Sequence, residues 1–163
     1  MKTLILFYST YGHVYKLAEA VAEGAREVEG NQVVIKRVPE TLPREILDKI
    51  GATEAQKAFG HIPVAKPEEL DQYDAIIIGT PTRYGNVCGQ IQAFLDGTGA
   101  LWAASKLVGK LGGCYVSTAH QPGGQETTLR ALHNVLLQLG IGQGALPTDL
   151  RGPLGPHCVP GDP

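Results

Sequence analysis

Leu4-Ile5-Leu6-Phe7-Tyr8-Ser9-Thr10-Tyr11-Gly12-His13-Val14 reads as a buried strand, a tight polar turn and the start of a helix. The run Leu4-Ile5-Leu6-Phe7 does not alternate with polar residues. Such a run suits a strand covered on both faces, as in a parallel sheet. Beyond the turn, Val14, Leu17, Ala18, Val21, Ala22 and Ala25 recur at helical spacing and make one apolar stripe. A helix N-terminus carries about half a positive charge and several unpaired N–H donors, so a phosphate group is a natural guest there. The alternative is that Ser9 or Thr10 only caps the helix. This stretch alone leaves both open.

The same alternation continues outward. Gly30 and Asn31 end the helix, and Val33-Val34-Ile35 is a second, β-branched strand. Pro39 to Gln72 is less regular and is punctuated by prolines. It reads as an excursion over the surface, with one short helix over Arg44 to Lys49. Asp74-Ala75-Ile76-Ile77-Ile78-Gly79 is the third and clearest strand. It leads into a second polar loop, Thr80-Pro81-Thr82-Arg83-Tyr84-Gly85-Asn86. Gly89 to Leu95 is a helix. Gly113-Cys114-Tyr115-Val116 is a fourth strand, and a third polar loop runs from Ser117 to Gln125. Glu126 to Leu139 is a helix with Leu129, Leu132, Val135, Leu136 and Leu139 on one face.

Strands that alternate with helices predict an α/β fold with a doubly wound parallel sheet. Ligands of such sheets bind outside the carboxyl ends of the strands, where the strand order reverses. Here three polar loops follow three strands. From about Ile141 to Pro163 the pattern stops, and Gly and Pro dominate. No fifth strand or closing helix is legible there. The expected organisation is one domain over residues 1–140 followed by an irregular tail over 141–163.

Composition narrows the function. The chain has 163 residues, a 43% hydrophobic fraction and a net charge of −2. Without a basic block, nucleic acid and anionic membranes are poor partners. Neither a signal-peptide core nor a run of about eighteen apolar residues occurs, so a cytoplasmic protein with no membrane partner is expected. Cys88, Cys114 and Cys158 fit neither a zinc site nor a disulfide framework. The histidines show no metal spacing, and no metal is expected. His13 reads as a helix-start residue rather than a catalyst.

The loops indicate the ligand. The first contains neither the Gly-Lys-Ser/Thr of a Walker motif nor the glycine pattern of a dinucleotide fold. That points to a mononucleotide phosphate held by hydroxyls and N–H groups. In the second loop Thr82 can donate to the phosphate or to a ring edge. Arg83 and Tyr84 can lie along a flat ligand, and Asn86 can bond an amide-like edge. In the third, Gly123-Gly124 lets backbone N–H groups face a ligand carbonyl. Trp102 sits among Gly97, Gly99 and Ala100, which suggests an exposed loop that walls a ligand site or an interface.

With these motifs the sequence strongly resembles the WrbA family of FMN-dependent NAD(P)H:quinone oxidoreductases, which have the flavodoxin-like fold. The match rests on Tyr8-Ser9-Thr10-Tyr11-Gly12-His13, Val38-Pro39-Glu40-Thr41, the stretch from Gly79 to Asn86, Gly99-Ala100-Leu101-Trp102, Ser117-Thr118 and Gly123-Gly124-Gln125-Glu126. It covers about residues 1 to 140. The resemblance implies that Ser9, Thr10, Tyr11, Gly12, His13 and Val14 bind the phosphate of FMN. It implies that Pro81, Thr82, Arg83, Tyr84, Gly85 and Asn86 hold the flavin and its ribityl chain. Ser117, Thr118, Ala119, His120, Gln121 and Pro122 would contact the isoalloxazine edge. Tyr11 would meet the nicotinamide, and Trp102 would line the quinone site, completed in the family by neighbouring subunits of a homotetramer. The implied reaction passes two electrons from NAD(P)H to FMN and then to a quinone. The flavin carries the chemistry, and no protein acid or base is required.

The chain departs from the family near its end. Gln138-Leu139-Gly140 stand where the family has His-His-Gly, so one histidine contact to the flavin is missing. The last strand and helix are not recognisable either, as in a truncated or altered member. Two other readings are therefore carried beside the reductase: a flavodoxin-like FMN electron carrier, and a degraded, non-catalytic member. Tyr11 and Trp102 speak against the carrier.

Overall fold

A computed structural model describes residues 1–143 and the pair 157–158. Its central strands are β1 (Lys2–Phe7), β2 (Gln32–Arg37), β3 (Ala75–Arg83) and β5 (Leu111–Ser117), all parallel. A two-residue strand, β4 (Asn86–Val87), pairs antiparallel with the end of β3. Another, β6 (Gly142–Gln143), pairs parallel with β5, so the sheet order is β2-β1-β3-β5-β6. The order reverses between β1 and β3, and the first two polar loops flank that point.

The unbroken apolar run of β1 has the reason expected of it. Leu4, Leu6 and Tyr8 face one cluster, whereas Ile5 and Phe7 face another. The second cluster lies under α1 (His13–Arg26), which buries Val14, Ala18 and Ala22 and packs Leu17 and Val21 beside them. The first lies under α4 (Gly89–Asp96) and α6 (Gln125–Gln138), through Ile91, Phe94, Leu95, Leu129, Leu132 and Leu136. Each fully buried Leu, Ile or Phe contributes about 1.5–3 kcal/mol relative to exposure.

The surface excursion holds more structure than its prolines suggest. The helix α2 runs over Arg44–Lys49, as expected, followed by α3 (Ala52–Gln56) and two 3₁₀ turns, Lys57–Phe59 and Pro67–Gln72. A parallel bridge between Arg37 and Val64 returns the excursion to the edge of β2.

Two expectations need correction, and the reading of the chain's end is refined. The third strand does not stop at Gly79. It continues to Arg83, because Thr80 and Pro81 pair with Val116 and Ser117 and the next two residues pair with β4. Tyr84 (φ 54°) and Gly85 (φ 73°) close that pair as a tight two-residue hairpin, so most of the second loop is sheet. Trp102 stands on a short helix, α5 (Gly99–Ala103), rather than on a loop, although it is 60% exposed. The position of the fifth strand is not empty. It is held by β6 opposite Leu111–Gly112 and by β7 (His157–Cys158) opposite Val116–Ser117, with no continuous strand among the described residues. Ile141, assigned to the tail, is buried in the core. The rest of the expected tail and the missing closing helix lie outside the described residues.

Candidate functional site

The three loops meet in one cleft at the carboxyl ends of β1, β3 and β5. Ser9, Thr10, Tyr11, His13 and Val14 line it from the first. Pro81, Thr82 and Arg83 line it from the second, and Ser117, Thr118 and Ala119 from the third. Its volume is ≈ 230 Å³, a little under the usual range of about 300–1,000 Å³ for small-molecule sites. Arg83 is the one cation among these lining residues, and no carboxylate is among the described residues that line the cleft.

The first turn is built for an anion. Gly12 is the N-cap of α1 at φ 92°, a left-handed conformation that a side chain would strain. No side chain caps the helix. Ser9 Oγ instead accepts the N–H of Gly12 at 3.0 Å inside the turn. Neither Ser9 nor Thr10 is therefore a helix cap. The first-turn N–H groups lack intrahelical partners and point out of the helix start, toward the cleft that His13 and Val14 line. A phosphate fits such a place by hydrogen bonding and by the helix dipole.

The loops are tied to one another. Arg83 Nη2 donates to Thr10 Oγ1 at 2.9 Å, while Nη1 donates to the carbonyl of Thr82 at 2.9 Å. Thr82 Oγ1 lies 2.6 Å from Thr128 Oγ1. The Thr127 hydroxyl is shared between the carbonyls of Gly85 at 2.7 Å and Gly124 at 2.9 Å. Thr127 and Thr128 thus join the first turn of α6 to the second loop, a role the sequence reading missed. Their partners lie some forty residues away and leave no local signal.

The other expected residues fall around the cleft rather than in it. Tyr84 is fully exposed at the hairpin tip. Asn86 Oδ1 accepts the N–H of Val87. His120, Gln121 and Pro122 are exposed on the third loop. Tyr11 lines the cleft, is half exposed and donates through its hydroxyl to the carbonyl of Ile50 at 3.2 Å. Trp102 is not brought to the cleft. Its indole N–H donates to the carbonyl of Gln138 at the far end of α6. That helix spans fourteen residues, and at about 1.5 Å per residue it separates Trp102 from the third loop by roughly 20 Å.

Cys88 and Cys114 are buried. Burial pushes the Cys114 thiol up to about 12, which leaves it unreactive near neutral pH. Behind the first turn, burial and then the Glu40 carboxylate push the Tyr8 phenol far above its ordinary range, against the pull of the Thr10 hydroxyl. Burial alone would raise Glu40. The backbone N–H of Leu42 and the side chains of Tyr8, Gln56 and Gln90 outweigh it and hold the carboxyl below its usual range.

Fold and cleft together define a mononucleotide-binding protein with the flavodoxin-like arrangement. A family model described as "NADPH-dependent FMN reductase" matches residues 1–143, and the chain belongs to this family. The resemblance to WrbA holds: a solved structure described as a flavodoxin, WrbA-like protein from Agrobacterium tumefaciens aligns with TM-score 0.66 and 27% identity, covering 97% of this chain and 82% of that one. Flavodoxin 1 from Bacillus cereus shares the fold at TM-score 0.65 and 21% identity, over 99% of this chain and 88% of that chain. A Geobacter metallireducens protein named NAD(P)H dehydrogenase (quinone) is 57% identical over 152 residues, 93% of this chain and 75% of that protein. The protein of that name from Geobacter sulfurreducens is 55% identical over the same shares. The cofactor of the family is FMN. An uncapped helix start and a hydroxyl-rich turn fit its phosphate, Arg83 stands beside them, and no carboxylate is among the described residues that line the cleft.

Proposed function

We propose that this chain catalyses the FMN-dependent two-electron reduction of quinones to hydroquinones by NAD(P)H. The balanced reaction is NAD(P)H + H⁺ + quinone → NAD(P)⁺ + hydroquinone. The observation that carries this reading is the convergence of three polar loops on one cleft with no carboxylate among its described lining residues. It occurs in a chain 57% identical to a protein named NAD(P)H dehydrogenase (quinone).

When bound, FMN supplies the two-electron chemistry that links the two substrates. The chain supplies position. The N–H groups of His13 and Val14 and the hydroxyls of Ser9 and Thr10 hold the phosphate, on the turn that Gly12 shapes. Pro81, Thr82 and Arg83 form one wall of the ring and ribityl site, with Tyr84, Gly85 and Asn86 at its rim. Ser117, Thr118 and Ala119 form the other, with His120, Gln121 and Pro122 beside them. Tyr11, at the mouth of the cleft, faces the nicotinamide. Trp102 serves a quinone site completed between subunits of a homo-oligomer, a tetramer in the family resemblance. Its place at the far end of α6 supports this, because it cannot reach the cleft of its own chain. The FMN-binding unit takes in residues 1–140 together with the buried Ile141, and the tail follows. A cytoplasmic setting, where reduced nicotinamides are made and used, goes with this chemistry. Among the described residues no helix is long and apolar enough to cross a membrane.

The test is a visible spectrum of purified protein with FMN, then with NADH or NADPH, then with benzoquinone. Retained flavin that bleaches with the nicotinamide and recovers with the quinone is expected. Retained flavin without bleaching would identify an electron carrier. Failure to retain flavin would leave only a non-catalytic member.

A further inference from the structure

Val38-Pro39-Glu40-Thr41 is the one resemblance motif with no assigned role. Its acidic residue occupies an unusual position. Glu40 Oε2 accepts from the Tyr8 hydroxyl at 2.8 Å and from Gln56 Nε2 at 3.1 Å. Glu40 Oε1 accepts from the N–H groups of Thr41 at 2.9 Å and Leu42 at 3.0 Å, and from Gln90 Nε2 at 3.0 Å. One carboxylate thus gathers donors from the end of β1, the loop before α2, the helix α3 and the first turn of α4.

The donors converge behind the phosphate turn. Tyr8 directly precedes Ser9 and is 4% exposed, and Gln90 is 8% exposed. A small second cavity is lined by Tyr8, Ser9, Arg37, Glu40, Gln56 and Phe59, among others. Ser9 lines both this cavity and the cleft. Glu40 therefore sits behind the turn and does not line the cleft.

A fixed negative charge behind a phosphate site opposes phosphate binding by simple Coulomb repulsion. Its presence there calls for a compensating role, and the five donors supply one. Only an ionised carboxylate offers acceptors alone on both oxygens. A glutamine would turn an NH₂ group on one set of donors and leave them unmatched.

We propose that Glu40 is a positioning residue for the FMN phosphate: acting through Tyr8, its carboxylate holds the Ser9–Thr10 turn in the shape the phosphate requires. This rests on the reading of the cleft as an FMN site. The carboxylate's effect is specific to the phosphate end. It sets how strongly the site prefers FMN to riboflavin, which lacks the phosphate.

The experiment titrates FMN and riboflavin into the wild-type protein, E40Q and Y8F, following quenching of flavin fluorescence, with circular dichroism and melting as folding controls. E40Q is expected to weaken FMN binding about tenfold, the equivalent of one lost buried hydrogen-bonding arrangement. Riboflavin binding should change by less than about threefold on the same scale. Y8F keeps the charge and cuts the link to the turn, so it should lower the FMN-to-riboflavin preference in the same direction. If E40Q does not fold, Y8F alone decides. Equal weakening of both ligands in the folded variants, or no change in either, would overturn the proposal. Wild-type protein that binds riboflavin as tightly as FMN would overturn it too, while leaving a flavin site in place. Wild-type protein that binds neither flavin would remove the FMN reading itself and the proposal with it.

Discussion

Arg83 reaches back across 73 residues of sequence to donate to the Thr10 hydroxyl at 2.9 Å. The same guanidinium holds the carbonyl of Thr82. One side chain thus fastens the second loop to the turn before α1 and is the one cation among the described residues that line the cleft. R83A should weaken FMN binding about tenfold or more, the usual scale for removing a charged hydrogen-bond donor. R83K should recover little of it, because an ammonium lacks the planar fork that spans two acceptors. A fluorescence titration measures both. Full rescue by lysine would mean that charge alone matters at this position.

The sheet itself holds a steric constraint. A Cβ at Gly79 would lie 2.1 Å from Cζ of the buried Tyr115 ring on the neighbouring strand. G79A should destabilise the fold by about 1–3 kcal/mol through overpacking, or more where the strands cannot shift. Adding Y115V should return part of that loss in urea denaturation, because the offending ring is gone. Y115F alone should leave stability unchanged or raise it. The Tyr115 hydroxyl is buried with no hydrogen-bond partner among the described residues, so its loss removes an uncompensated polar group.

Acid should act through Glu40. Its carboxyl is held below its ordinary range in the folded chain by the donors around it. A depressed folded value means that its contribution is complete above the unfolded value of about 4.3 and fades as pH falls through the folded one. The melting-temperature gap between wild type and E40Q should therefore be largest at neutral pH and shrink below about pH 4. A gap that widens on acidification would contradict the hydrogen-bonded carboxylate seen here.

Trp102 offers a test of assembly. Its indole is 60% exposed and anchored to Gln138, away from the cleft. W102A should impair quinone reduction several-fold more than FMN binding, with the loss read in the quinone KM or kcat. Equal loss of both would mark the residue as structural.

The legible parts of this protein carry their own periodicity. Leu4 to Phe7 has no alternation because α1 covers one face of β1 and α4 and α6 cover the other. Val14, Ala18 and Ala22 repeat at helical spacing because one side of α1 meets the sheet. The polar turn before α1 was legible as a place for an anion or for a cap, and the structure turns Ser9 inward to Gly12 instead of capping the helix. The Tyr84–Gly85 hairpin was not. Only pairing with β4, against the expectation of a loop, shows that Thr82 and Arg83 belong to a strand.

A different limit applies to Glu40, Thr127 and Thr128. Their roles depend on partners 32 to 50 residues away, which no local pattern records. By itself the sequence determined a parallel α/β sheet, with polar loops at its carboxyl ends and no Walker lysine. Each of those properties follows from neighbours along the chain, through hydrophobic spacing and the chemistry of one turn. Tertiary structure alone decided that the loops close on one cleft, that a carboxylate braces that cleft from behind, and that Trp102 stands at the far end of α6. Those are meetings between distant segments, and packing brings them about only after the strands have found their order.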